Sequence, residues 1–182
     1  MGAGYLPAPF DKQEVSVSMS KDQSIGIYDV DWDYVKYLSQ AYPHLYRIKK
    51  EDQANSRKYV GIVLEINDMN YFAPLSSYKE KHSRLKDNLD LIKIKKYAVI
   101  NLNYMFPVPD NCCHMVDFSK EKNPHYRDLL RAEYRYIKMI REKIWKNAKT
   151  LYNHKLKNKE STPLAKRCYD FKELESICRA YK

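Results

Sequence analysis

The sequence predicts an α+β domain, a few antiparallel strands with helices packed outside them. Three observations carry that expectation. Short runs of β-branched and aromatic residues occupy the first two thirds of the chain. One of them, at residues 58–66, meets the next through the two-residue turn Asn67-Asp68, as in a hairpin. From Pro124 onward, apolar residues recur every three or four positions instead of every two.

The elements follow in order. Residues 1–18 read as an extended, Pro-bearing leader, with Met19 a candidate native start and 19–182 a single domain. Residues 24–30 alternate as a first strand, and Asp31 reads as the N-cap of a helix reaching about Gln40. Tyr34, Leu38 and Ala41 share its inner face, with Lys36 turned elsewhere, and Pro43 ends it. Residues 43–57 are polar and read as a loop. Residues 58–66 and 69–73 form the hairpin, followed by a polar turn at 76–85 that opens a short helix.

Residues 90–102 carry two more strand signals, LIKIKK and YAVINL, with Lys93 and Lys95 on one face of the first. Residues 105–110 are extended or looped. In the helical stretch at 124–154, Leu130, Tyr134, Ile137, Ile140, Ile144, Ala148 and Leu151 form the core stripe. Arg127, Arg131, Arg135, Lys138, Lys143, Lys146 and Lys149 lie opposite, as a solvated face or an RNA-backbone contact. Residues 158–162 read as a loop and 171–181 as a last helix.

The chain has 182 residues, a formal net charge of +10 and 17 tyrosines. Such a balance suits a polyanionic partner, and tyrosine rings can stack on unpaired bases. No apolar run approaches the length of a membrane span, so no membrane partner is expected. Only four glycines are present, two of them in the leader, which leaves no phosphate-binding glycine loop or dinucleotide fingerprint. Cys112-Cys113-His114 looks metal-like, but adjacent cysteines suit a tetrahedral site poorly, and Cys112, Cys113, Cys168 and Cys178 read as reduced thiols. No clustered carboxylates at two-metal spacing occur. Neither a metal nor another cofactor is expected.

Ser76-Ser77-Tyr78-Lys79 is the segment with chemical potential. Two hydroxyls, local N–H groups and an ammonium on one turn can hold one phosphate. From spacing alone, a solvated turn with Ser76 capping a short helix explains it as simply.

The segment Tyr59-Val60-Gly61-Ile62-Val63-Leu64-Glu65-Ile66, then Tyr71-Phe72-Ala73-Pro74-Leu75-Ser76-Ser77, then Lys79 and His82, resembles the ToxN/AbiQ toxins of type III toxin–antitoxin systems. Asp33-Tyr34-Val35-Lys36-Tyr37-Leu38 is similar to the family's early helix, and Ile100-Asn101-Leu102-Asn103-Tyr104-Met105-Phe106-Pro107 to its late strand. The resemblance implies a compact, strongly bent antiparallel sheet similar to the MazF/Kid toxins. It implies a metal-independent endoribonuclease, active in phage abortive infection in the bacterial cytoplasm, inhibited by a small structured antitoxin RNA, with no dedicated protein partner.

Carried over, the family's hydroxyl pair falls on Ser76 and Ser77, its lysine on Lys79 and its early-helix tyrosine on Tyr34. A basic residue before the central strand falls on Arg57 or Lys58. The catalytic set is then Ser77, Ser76, Lys79, Tyr34 and Lys58, with Arg57, Tyr59, Lys36, Tyr78, His82, Lys93 and Lys95 as RNA contacts. The reaction expected is attack of a ribose 2′-hydroxyl on the adjacent phosphorus, giving a 2′,3′-cyclic phosphate and a 5′-hydroxyl. Which group takes the proton is not legible. The competing readings are a non-catalytic RNA-binding module and, with no helix-turn-helix in view, a DNA-binding regulator.

Overall fold

A computed structural model describes residues 25–45 and 57–182. The expectations on residues 1–18, Met19, Ser24 and most of the 43–57 loop lie outside these residues. Seven strands and five helices follow in the order β1 Gly26–Val30, α1 Trp32–Ala41, β2 Tyr59–Ile66, β3 Met69–Ser77, β4 Leu91–Ile94, β5 Ala98–Asn101, β6 Phe106–Val108, β7 Cys113–Met115, α2 Pro124–Met139, α3 Arg141–Asn158, α4 Pro163–Lys166 and α5 Phe171–Ala180. The sheet is antiparallel throughout, in the order β4-β5-β3-β2-β1-β7, with β6 paired to β3. This is the α+β architecture expected.

The β2–β3 hairpin turns at Asn67 and Asp68, both with positive φ (50° and 60°), the backbone a tight two-residue hairpin turn requires. β3 is the axis of the sheet. It pairs with β2 along one edge, while its other edge is shared by β6 at Asn70–Phe72 and by β5 at Leu75–Ser77.

The hairpin expected from the sequence ends at Ala73, just before Pro74, which has no N–H for a ladder. The strand instead continues to Ser77. The Leu75 N–H donates to the Lys58 carbonyl on the β2 side. Alternation therefore aims the position of the missing Pro74 donor at the other edge, between the ends of β6 and β5, where no ladder bond is lost.

The bend in β2 has a local cause. Val60 pairs with Ala73 and Leu64 with Tyr71, so three β2 residues face one β3 residue, Phe72. Gly61 stands at this bulge because a Cβ there would lie 2.1 Å from the Phe72 ring. The freed Ile62 carbonyl accepts from Trp145 Nε1 at 3.0 Å, which ties the bulge to α3.

The helical stretch at 124–154 is two helices, not one. Ile140 (φ −103°, ψ 15°) closes α2 and opens α3, letting each pack on its own part of the sheet. Leu130, Ile137, Ile144, Ala148 and Leu151 are buried as the stripe predicts. The opposite face is partly engaged within the chain: Lys143 pairs with Asp87 at 2.6 Å, and Lys138 lies over the Tyr134 ring.

α1 buries Tyr34, Val35 and Leu38, while Ala41 is exposed. Asp31 does not cap α1 through its side chain; its carboxylate meets His114 Nε2 at 2.8 Å. α5 is anchored by Glu175, buried beneath the sheet, whose Oε1 accepts from the Tyr71 and Tyr152 hydroxyls at 2.9 and 2.5 Å.

Candidate functional site

The end of β3 opens into a cleft of about 640 Å³. Its floor is the last turn of the β3–β5 ladder, with Ser76 opposite Val99 and Ser77 opposite Ala98. Register brings the other members in. Because Leu75 N–H bonds the Lys58 carbonyl, Lys58 and Arg57 run beside Leu75 and Ser76 and line the same opening. The segment after β3 contributes Lys79, Lys81 and His82, and α2 forms the facing wall with Tyr126, Leu129 and Glu133.

Ser76 is half-buried, and its Oγ accepts from Asn101 Nδ2 at 3.3 Å, which orients the hydroxyl from β5. Ser77 is exposed in the cleft. Neither caps a helix; the short 3₁₀ turn Glu80–His82 starts from Lys79. Lys58 Nζ lies 2.6 Å from Asp29 Oδ1, so β1 holds this cation in place.

His82 is only 7% exposed. Its Nδ1 accepts from the Lys79 backbone N–H at 2.9 Å, its backbone N–H donates to the Lys79 carbonyl at 2.8 Å, and the Tyr78 ring packs edge-on 5.6 Å away. Accepting at Nδ1 leaves the proton of the neutral ring on Nε2. Burial first, then the charges of Lys81, Lys79 and Lys93, hold the imidazole below its ordinary pKa. His82 is thus a neutral ring offering an N–H donor, well suited to a phosphate oxygen.

The structure brings together Ser76, Ser77, Lys79, Lys58, Arg57 and His82. It does not bring Tyr34. That residue is fully buried, its hydroxyl donates to the Pro107 carbonyl at 2.6 Å, and its ring meets Tyr181. Tyr59 is 7% exposed against Phe106, so its ring is core and not a stacking platform. Lys36 is exposed on α1, outside the cleft lining. Lys93 is not among the residues lining the cleft; its Nζ lies 3.5 Å from the Ser83 carbonyl. Lys95 belongs to the β4–β5 turn, over the Tyr136 ring. Tyr78 supports His82 rather than lining the opening.

A model of the family "Toxin ToxN, type III toxin-antitoxin system" matches residues 26–179. The chain belongs to the ToxN family. Endoribonuclease ToxN of Bacillus thuringiensis subsp. kurstaki is 27% identical over 177 residues, covering 90% of this chain and 88% of the relative. Endoribonuclease AbiQ of Lactococcus lactis subsp. lactis is 29% identical over 171 residues, covering 87% and 90%. Among solved structures, a protein of a bacterial antiviral system regulated by a processed non-coding RNA superposes with a TM-score of 0.74 at 26% identity, covering 86% of this chain and 98% of that one. The relatives thus span this ToxN-family fold almost end to end.

Asn101, Lys81, Tyr126 and Glu133 also line the cleft, beyond the residues expected from the sequence. Glu133 had a signal: it sits three residues after Leu130 and four before Ile137, a carboxylate within the buried stripe of α2. It is 5% exposed, and burial raises its carboxyl pKa to about 7. Cys112-Cys113-His114 has no part in the cleft. The four thiols are free, and burial pushes those of Cys113 and Cys168 up to about 11, which keeps them protonated and unreactive. No helix among the described residues is long and apolar enough to cross a membrane.

Proposed function

We propose that this chain is an endoribonuclease toxin that cleaves single-stranded RNA in the β3-end cleft without a metal ion. The reading places it in the bacterial cytoplasm, restrained by a small structured antitoxin RNA. The observation that carries it is the convergence of Ser76, Ser77, Lys79 and His82 with Arg57 and Lys58 in one opening. Family membership and the endoribonuclease relatives support it. The RNA-regulated antiviral neighbour supports the antitoxin.

The substrate brings its own nucleophile. The cleft holds the scissile phosphate so that the 2′-oxygen, phosphorus and 5′-oxygen lie in line. Lys79, Lys58 and Arg57 offset the charge that grows on the phosphorane. Ser76, Ser77 and the His82 Nε2–H donate to its non-bridging oxygens. The 2′-oxygen bonds phosphorus, the bond to the 5′-oxygen breaks, and a 2′,3′-cyclic phosphate remains.

Substitution tests the site. Ser77→Ala and Lys79→Ala are each expected to slow RNA cleavage by roughly 10²-fold or more and to abolish growth arrest, with the melting temperature close to that of the unsubstituted protein. Cleavage by both variants at the original rate would refute the assignment. EDTA is expected to leave the rate unchanged; loss of activity restored by magnesium would refute the metal-free reaction.

A further inference from the structure

The β3-end cleft supplies cations and hydrogen-bond donors, and the attacking 2′-hydroxyl still has a proton to lose. His82 is not equipped to take it, because its Nδ1 is engaged by the Lys79 N–H and Nε2 of the neutral ring carries a proton already. The ammonium and guanidinium groups of Lys58, Lys79, Lys81 and Arg57 have no free lone pair. Serine hydroxyls are poor bases without a partner.

Three acids are buried among the described residues: Asp90, Glu133 and Glu175. Two have structural partners. Asp90 is bound by the Arg167 guanidinium, and Glu175 by Tyr71, Tyr152 and Lys172. Glu133 differs. No hydrogen bond or ion pair among the described residues holds its carboxylate, only 5% of the residue is exposed, and it lines the cleft from α2, with neither oxygen among the fully buried unpaired atoms. A largely desolvated carboxylate that opens onto a cleft and is held by no cation is costly to the fold and is expected where function requires it.

We propose that Glu133 is the general base of the cleft, accepting the proton of the attacking 2′-hydroxyl. The assignment rests on the self-cleavage reading given under the proposed function. In the step, the 2′-O–H proton moves to a Glu133 oxygen as the 2′-O–P bond forms and the P–O5′ bond breaks. The departing 5′-oxygen takes a proton from water at the open mouth of the cleft. The resulting hydroxide is neutralised by the Glu133 carboxylic acid, which restores the carboxylate.

Burial alone sets the raised carboxyl pKa, about 7, so ionised and neutral forms interchange at neutral pH. The groups lining the cleft with it are Arg57 and Lys58 before β2, Lys79, Lys81 and His82 after β3, Tyr104 after β5 and Tyr126 on α2. His82 titrates below its usual range, and burial raises Tyr126, so neither masks a limb near neutrality.

The test is the pH profile of single-turnover cleavage of a short RNA by the full chain. The unsubstituted protein is expected to gain about tenfold in rate per pH unit below about 7 and to level off above it. Glu133→Gln should lose that limb and fall by roughly 10²–10⁴-fold. Its affinity for the same RNA made with 2′-deoxyribose should hold within about threefold. Glu133→Asp, which keeps a carboxylate, should retain a limb at an intermediate rate.

A folded Glu133→Gln with the original rate and limb overturns the proposal. If Glu133→Gln does not fold, a folded Glu133→Asp with no limb does so. Mapping the product ends separates the two readings. Ends other than 2′,3′-cyclic phosphates refute self-cleavage and this base role with it. Cyclic ends with an unaltered Glu133→Gln profile refute the base alone.

Discussion

The Tyr34 hydroxyl donates to the Pro107 carbonyl from a position with no solvent access, which makes it a support for β6 and not a reactant. Tyr34→Phe should therefore cleave RNA within about twofold of the original rate. It should lose about 1–2 kcal/mol of stability for the unpaired carbonyl, read from denaturant titration. Glu133 carries a different signature. Its folded pKa, about 7, lies above the ordinary carboxyl value of 4.5. The folded state therefore binds more protons between those values, and Glu133's contribution to stability falls as pH rises from about 4.5 to 7, then stays constant. Glu133→Gln removes this loss. The variant should melt higher than the original at pH 8 while being far slower, a separation of stability from activity expected at a functional site. Equal melting temperatures at pH 8 would contradict the desolvation of this carboxylate.

At the scale of elements, the bent sheet depends on the bulge at Gly61 and on the length of β3. A Cβ at Gly61 would meet the Phe72 ring at 2.1 Å, and that ring is fully buried. Gly61→Ala should destabilise the chain by about 1–3 kcal/mol, and calorimetry would show it as a lower melting temperature. Because Phe72 lies four residues before Ser76 on the same strand, cleavage should weaken with it. The hairpin was legible because Asn67-Asp68 tolerate positive φ. The last four residues of β3 were not, because Pro74 reads locally as a strand end. Only the gap between β6 and β5 makes it harmless, and that gap is a long-range feature. Similarly, the apolar stripe named the core residues of α2 and α3 but not the break at Ile140, since the spacing stays near three and four across it.

Over the whole molecule, the charge of +10 was readable as affinity for a polyanion, and the cleft concentrates part of it in Arg57, Lys58, Lys79 and Lys81. Binding of single-stranded RNA should weaken steeply with salt, and Lys81→Gln should reduce the log–log slope by about 0.7. Ser76, Ser77 and Lys79, the residues on which the family's hydroxyl pair and lysine fall, line one opening. The resemblance misplaced Tyr34, because a hydroxyl's role depends on what the fold sets beside it. A carboxylate within the apolar stripe of α2 marked Glu133 as unusual but not as lining the same cleft as those serines, since α2 reaches that cleft only through packing on the sheet. The central claim is that the cleft clamps a phosphate while the RNA attacks itself. The most direct measurement places a single 2′-deoxynucleotide immediately 5′ of a mapped cleavage site. The substituted RNA should bind as tightly as its parent and resist cleavage at that bond alone. Cleavage there at the parent's rate would contradict the account.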